Sequence, residues 1–162
     1  MKQTELKKND ICPCQFGNVI SETKENAGEV LQNIKNEKSA DIKKYSDCCE
    51  PLHLGQRKAQ SALELMKSRY CAFIAKQFDY LRKTTHPQSL GNINHAENEK
   101  WANNVQFTKL EILFFEEQGN KGTVEFKAHF TFTNPSDGVE KSEVHHERST
   151  FRKQQGEWFF KG

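Results

Sequence analysis

The sequence predicts an α+β fold, with helices packed on a curved antiparallel sheet behind a small cysteine-bearing module. Three observations predict it. Apolar residues recur at helical spacing after Ser61, the period falls to two after Lys109, and two close cysteine pairs precede both stretches. A chain of 162 residues suits one ordinary domain with a small appendage and is long enough to bury a core. The shift in composition divides it into a module at 1–55 and a larger unit at 56–162.

Hydrophobic residues make up 35% of the chain and charged residues 28%, so the core must rest on a few bulky side chains. Eleven of the twelve Phe lie between Phe73 and Phe160, which places that core after the cysteine segment. A net charge of +2, from 24 basic and 22 acidic side chains, argues against a nucleic-acid partner. There is no apolar run of about eighteen residues, and Lys2, Lys7, Lys8 and Asp10 interrupt any secretory signal. The reading is a soluble cytoplasmic protein with no membrane association.

Five Cys in such a chain favour reduced thiols, used as metal ligands or buried in the core, over disulfides. In Cys12-Pro13-Cys14 the proline fixes one backbone angle, and a turn through Phe16 and Gly17 can aim N–H groups at the sulfurs. Cys48 and Cys49 are adjacent, so a disulfide between them would close a strained ring, whereas both can reach one cation. Four thiolates suit zinc in a closed tetrahedron, a structural site with no position open to water. The charge left over makes Lys43 and Lys44 candidate donors around it. An iron–sulfur site, a thiol redox pair and unliganded thiols are the alternatives, and His53 is a candidate substitute ligand. Cys71 stands alone in a helical pattern and reads as a small buried side chain. Between the pairs, Ala27, Val30, Leu31 and Ile34 are spaced for an amphipathic helix within residues 21–44, either solvated or partner-binding.

In the larger unit Ser61 and Glu64 form a capping box. Leu63, Met66, Tyr70, Phe73, Ile74 and Phe78 then build an apolar helical face with Arg69 at its margin. Asp79 is expected to cap a second helix, Tyr80 to His86, that Pro87 ends. The polar stretch Gln88 to Asn104 leads to Trp101 as a loop or short helix. Leu110, Ile112 and Phe114 alternate as a strand, and Gln118 to Gly122 makes a turn. Val124, Phe126, Ala128, Phe130 and Phe132 mark the clearest strand. A third strand runs from Glu143 to Lys153, Gln155-Gly156 turns the chain, and Trp158 to Phe160 form the last strand.

Cys12-Pro13-Cys14, Gly17, Tyr45 and Cys48-Cys49 resemble the SEC-C zinc motif found at the end of the SecA translocation ATPase. Here Gln15, Asn18 and Glu50 depart from its usual residues, and residues 15–47 separate pairs that the motif sets about eight apart, which implies an insertion. Further strings resemble the YchJ family of uncharacterised bacterial proteins. They are Pro51-Leu52-His53, Ala62 to Tyr70, Asp79-Tyr80-Leu81, Thr85-His86-Pro87, Val124-Glu125-Phe126, His146 to Ser149 with Phe151, and Gly156-Glu157-Trp158. That resemblance implies a SEC-C motif joined to a nuclear-transport-factor-like cone, a cystatin-like sheet with a cavity against its helix.

In such a cone Arg69, Tyr70, His86, Trp101, His146 and Arg148 are candidate pocket residues, with Asp79 and Glu147 near them. Strand parity puts His146 and Arg148 on one face and Glu147, Ser149 and Phe151 on the other, so His146 and Glu147 cannot pair directly. Arg69 is expected to ion-pair with Glu147, while Trp101 and Trp158 anchor the core. Fold alone does not set function. The favoured role is non-enzymatic, a protein partner bound through the zinc knuckle by analogy with SecA. The alternative is a small-molecule-binding protein or enzyme using the cavity.

Overall fold

The computed structural model describes residues 6–15, the backbone of residues 19 and 20, and residues 43–162. The helix expected within residues 21–44 and the turn through Phe16 and Gly17 lie outside the described residues, apart from Lys43 and Lys44.

A five-stranded sheet in the order β1-β2-β3-β4-β5 supplies one layer. Strands β2 (Gln106–Gln118), β3 (Lys121–Thr133), β4 (Glu140–Gln154) and β5 (Glu157–Phe160) are antiparallel neighbours, and the two-residue β1 (Val19–Ile20) runs parallel beside Glu111 and Ile112. Register shifts between Phe107 and Lys109 and between Ile112 and Phe114 bulge β2 and bend the sheet. The β2–β3 turn is tighter than the predicted span, with Gln118 paired to Lys121 and Gly119 at φ 59°, so Gly122 belongs to the strand. Gln155 and Gly156 are both left-handed, at φ 52° and 80°, which matches the twist a two-residue hairpin demands.

The helices cover one face of this sheet. Helix α1 (Glu50–His53) is short, and α2 (Ala62–Ile74) is the longest among the described residues. Ser61 caps α2 by accepting from the Glu64 amide at 3.0 Å, but Glu64 turns away from Ser61 to accept from the Gln60 amide and from Arg57. Leu65, Met66 and Tyr70 of α2 enter a buried cluster with Leu110, Val124, Phe130, Phe151 and Trp158. Gly122 lets α2 rest close on β3, for a Cβ there would sit 2.5 Å from the Ala62 Cβ. Lys76, at φ 59°, ends the helix in a left-handed turn, and its ammonium bonds the Ala102 carbonyl at 2.7 Å.

Three further helices are α3 (Phe78–Lys83), α4 (Pro87–Leu90) and α5 (His95–Asn104). The expected cap at Asp79 is not found. Gln77 occupies the cap position, and the exposed Asp79 pairs with Arg82 one turn later. Pro87 ends nothing but opens α4, because its missing amide costs no bond in a first turn. Between α3 and α4, Phe160 donates its amide to the Thr84 carbonyl and accepts from the His86 amide, so this linker covers the β5 edge.

Candidate metal centre and cavity

Two short 3₁₀ turns, Pro13–Gln15 and Tyr45–Asp47, bring the cysteine pairs together. Ile11 and Lys44 form an antiparallel bridge, the Cys12 amide donates to the Lys43 carbonyl at 3.0 Å, and the Tyr45 amide donates to the Asp10 carbonyl at 2.8 Å. The Gln15 side chain both donates to and accepts from the Lys43 backbone, which fixes Cys14 opposite Cys48. The sulfurs of Cys12, Cys14, Cys48 and Cys49 all lie within 4.8 Å of one another, with Cys14 to Cys48 at 3.5 Å and Cys48 to Cys49 at 4.0 Å. One tetrahedral zinc with bonds of about 2.3 Å sets its sulfurs about 3.8 Å apart. The four residues therefore fit a single metal ion.

The four sulfurs titrate together. Thiol hydrogen bonds from Cys14, Cys48, Cys49 and Cys71 hold the Cys12 sulfur low, while sharing with Cys12 pushes Cys14 and Cys49 up. Four thiolates this close and this buried need a cation among them. Lys43 and Lys44 do not supply it, since their side chains are exposed and they act through the backbone. Arg57, which sequence reading missed, does not reach the sulfurs either; it braces the backbone behind them, bonding the Cys48 carbonyl at 3.0 Å and Glu64 of α2 at 3.1 Å. His53 is excluded as a ligand because both ring nitrogens are engaged. Its Nε2–H donates to the Ser68 carbonyl at 2.8 Å, leaving Nδ1 to accept from the Tyr45 hydroxyl at 2.7 Å, and burial keeps the ring neutral. Cys71 of α2 stands 3.7 Å from Cys12, wholly buried beside the quartet but not part of it.

On its other side α2 faces a cavity of about 450 Å³ bounded by β3, β4, α3 and α5. Met66, Arg69, Tyr70 and Phe73 point into it, one helical stripe at the i, i+3, i+4 and i+7 positions. Arg69 Nη1 donates to the Leu81 carbonyl at 2.8 Å and to the hydroxyls of Thr84 and Thr85 at 2.7 and 3.3 Å, and the guanidinium lies 4.3 Å over the Phe160 ring. Burial lowers its pKa to about 10, so it stays charged at neutral pH. From β4, His145 bonds Glu147 at 2.8 Å, and Ser149 donates to the same carboxylate. That shared bond raises the pKa of His145 and lowers that of Glu147. Trp101 of α5 closes one side, edge-on to Phe107 at 5.4 Å and Phe130 at 5.3 Å.

The profile of the YchJ middle NTF2-like domain matches residues 61–162, from the cap of α2 to the last residue. This chain belongs to the YchJ family. Its YchJ relatives include a UPF0225 protein of Actinobacillus succinogenes, 36% identical over 118 residues, with 72% of this chain and 73% of the relative covered. A UPF0225 protein of Geobacter sulfurreducens is 36% identical over 121 residues, with 73% and 71% covered. Two similar structures are of SEC-C motif containing proteins. One, from Rhodopseudomonas palustris, has a TM-score of 0.66 at 40% identity over 75% of this chain and 91% of that one. The other, from Psychrobacter arcticus, has a TM-score of 0.68 at 27% identity over 96% and 82%. The α+β fold of this YchJ chain is thereby NTF2-like, with a cysteine cluster near its N-terminus that suggests a metal site.

Of the residues that sequence reading assigned to a pocket in this YchJ fold, Arg69, Tyr70 and Trp101 line the cavity. His146 and Arg148 do not. Both reach Glu125 across the opposite sheet face, at 2.7 and 2.8 Å, because strand parity turns them away. His86 lies outside too, capping α4 and bonding Gln154 at 2.9 Å. The expected ion pair of Arg69 with Glu147 is replaced by bonds to neutral oxygens, though both face the cavity. The missed residue is His145. The parity that separates His146 from Glu147 puts His145 beside Glu147, Ser149 and Phe151, and was the signal available.

Proposed function

We propose that Cys12, Cys14, Cys48 and Cys49 hold one zinc ion as a closed structural clasp, and that the clasped module, residues 1–55, contacts a protein partner in the cytoplasm. The single observation that carries this reading is the convergence of four buried or half-buried sulfurs within 4.8 Å, with the nearby imidazole engaged elsewhere. Sulfurs converging on one point suit a single ion, whereas a multi-iron cluster would spread its ligands around several metal atoms. A four-sulfur shell leaves no position for water or substrate, so the ion fastens structure and catalyses nothing. Five free cysteines suit a reducing compartment. Ile11 and Leu54 support the partner contact. They flank the cysteine pairs and are two of the four large apolar residues exposed among the described residues, at 54% and 59%.

Elemental analysis of protein purified under reducing conditions without added metal tests the proposal. The wild-type chain and Cys71→Ala should each carry about one zinc, and Cys48→Ser should lose it together with capture of the partner. Absence of zinc from the wild type, or equal zinc in Cys48→Ser, would overturn it.

A further inference from the structure

The cavity beside α2 is balanced in charge, and much of its wall is apolar. Two cations, Arg69 and Arg82, and two carboxylates, Glu99 and Glu147, face it. Arg82 bonds Glu99 directly. Bonds from His145 and Ser149 hold the Glu147 carboxyl low, and the Arg69 charge across the chamber adds to them. An anion entering here would compete with Glu147 for Arg69, and a cation would compete with Arg69 for Glu147. Either would leave one charge unpaired among apolar side chains. Phe73, Trp101, Phe107, Phe126 and Phe160 make the wall aromatic, and the volume of about 450 Å³ falls in the range of small-molecule pockets. The chamber is thus complementary to a flat, uncharged body.

His145 on this wall keeps a bonding position open. Its Nε2–H donates to one oxygen of Glu147 at 2.8 Å while Ser149 donates to the other, so the carboxylate is pinned at both ends and sets the imidazole tautomer. Nδ1 is left as a lone pair with no partner among the described residues. The ring stands 6.1 Å from that of Trp101 and 6.3 Å from that of Phe126, and the side chain is 47% exposed. It therefore borders the chamber at an open edge, with the buried Phe107 ring deeper, edge-on to Trp101. The bond to Glu147 raises the pKa of His145, so this ring takes up a proton more readily than a free imidazole. A hydroxyl suits both states, donating to Nδ1 of the neutral ring and accepting from Nδ1–H of the charged one. A carbonyl or an ether serves only the second.

We infer that this cavity is a binding site for an uncharged aromatic hydroxyl compound, whose ring packs against Trp101, Phe107 and Phe126 and whose hydroxyl meets Nδ1 of His145. Such a ligand leaves the pairing of Arg69 with Glu147 and of Arg82 with Glu99 undisturbed. The site needs no metal and is independent of the cysteine quartet.

Calorimetric titration of the full-length chain with 2-naphthol at neutral pH, beside its melting temperature, tests the assignment. 2-Naphthol should bind saturably and raise Tm. 2-Methoxynaphthalene keeps the flat body but cannot donate, and should bind about threefold to tenfold more weakly, the weight of one neutral hydrogen bond. Naphthalene-2-carboxylate and 2-naphthylmethylammonium should each bind at least about tenfold more weakly than 2-naphthol. His145→Phe changes a half-exposed side chain, so it should fold, yet bind 2-naphthol and 2-methoxynaphthalene about equally. Ala128→Leu, which fills the chamber from β3, should abolish binding. The assignment fails if 2-naphthol at millimolar concentration gives neither binding heat nor a rise in Tm, or if either charged analogue binds as tightly. It fails equally if His145→Phe keeps the preference for the hydroxyl, or if binding survives in Ala128→Leu.

Discussion

Replacing Gly122 with Ala probes the contact on which the layering of this fold depends. The new Cβ would lie 2.5 Å from the Ala62 Cβ and 3.3 Å from Cζ3 of Trp158. Carbon atoms settle about 3.5–4.0 Å apart, so the first contact must open by about 1 Å. Neither neighbour yields easily. The Ala62 Cβ is fixed to a helix start whose amide donates to Glu117 at 2.6 Å, and Trp158 is buried. Overpacking of this kind costs about 1–3 kcal/mol, and losing the freedom of glycine in the unfolded chain offsets about 0.4–1 kcal/mol. The net loss of about 1–2 kcal/mol lowers Tm by about 2–8 °C in a chain of this length. Scanning calorimetry on Gly122→Ala, Ala62→Gly and the double variant measures it, and removing the second methyl should restore most of the loss. An unchanged Tm in Gly122→Ala, or a double variant no better than the single one, would show that α2 does not rest on β3 at this distance.

Two further outcomes follow from the strand β4 and its hairpin. The depressed Glu147 contributes stability above the ordinary carboxyl value of about 4.3, lost as pH falls through its folded pKa; the raised His145 contributes below about 6.5, lost as pH rises through its folded pKa. The pair therefore stabilises most between about pH 4.3 and 6.5, by only a few tenths of a kcal/mol because both groups are partly exposed. NMR titration of His145 should give a midpoint above about 6.5 that falls back in Glu147→Gln, and a wild-type midpoint at or below that value contradicts the pairing. At Gln155, held at φ 52°, Asn should raise stability in urea unfolding by about 0.5 kcal/mol and Val should lower it by about 1 kcal/mol or more, whereas a neutral Val would deny the left-handed turn.

The cysteine quartet was legible because two close thiol pairs in one chain have few uses, and the chemistry survives a long separation in sequence. Strand β3 was legible for a different reason. Its register runs unbroken, so Val124, Phe126, Ala128, Phe130 and Phe132 keep one parity throughout. In β2 two bulges reset that parity, and alternation there could be followed only locally. Arg69 lines the cavity, but the ion pair expected with Glu147 gives way to bonds with the Leu81 carbonyl and the Thr84 and Thr85 hydroxyls, which spacing along the sequence does not reveal. Here α2 is covered on both sides, by Cys71 against the quartet and by the cavity face toward the sheet, so its margin is interior. His145 was passed over because β4 is exposed along its first half, and nothing nearby in sequence marks which of two adjacent histidines turns inward until Phe151 and Ser149 set the phase. Caps resisted prediction wherever a residue of weak preference, such as Gln77, stood in for a stronger candidate next door.

Helix α2 carries Arg69 and Tyr70 on one flank and Cys71 on the other, within two residues, or about 3 Å of axial rise. A rigid rod cannot slide or rotate at one of these points and stay fixed at the other. The cysteine cluster and the chamber are therefore mechanically one unit, and the position of the helix is set jointly by what grips it from the N-terminal segment and by what fills the space across from it.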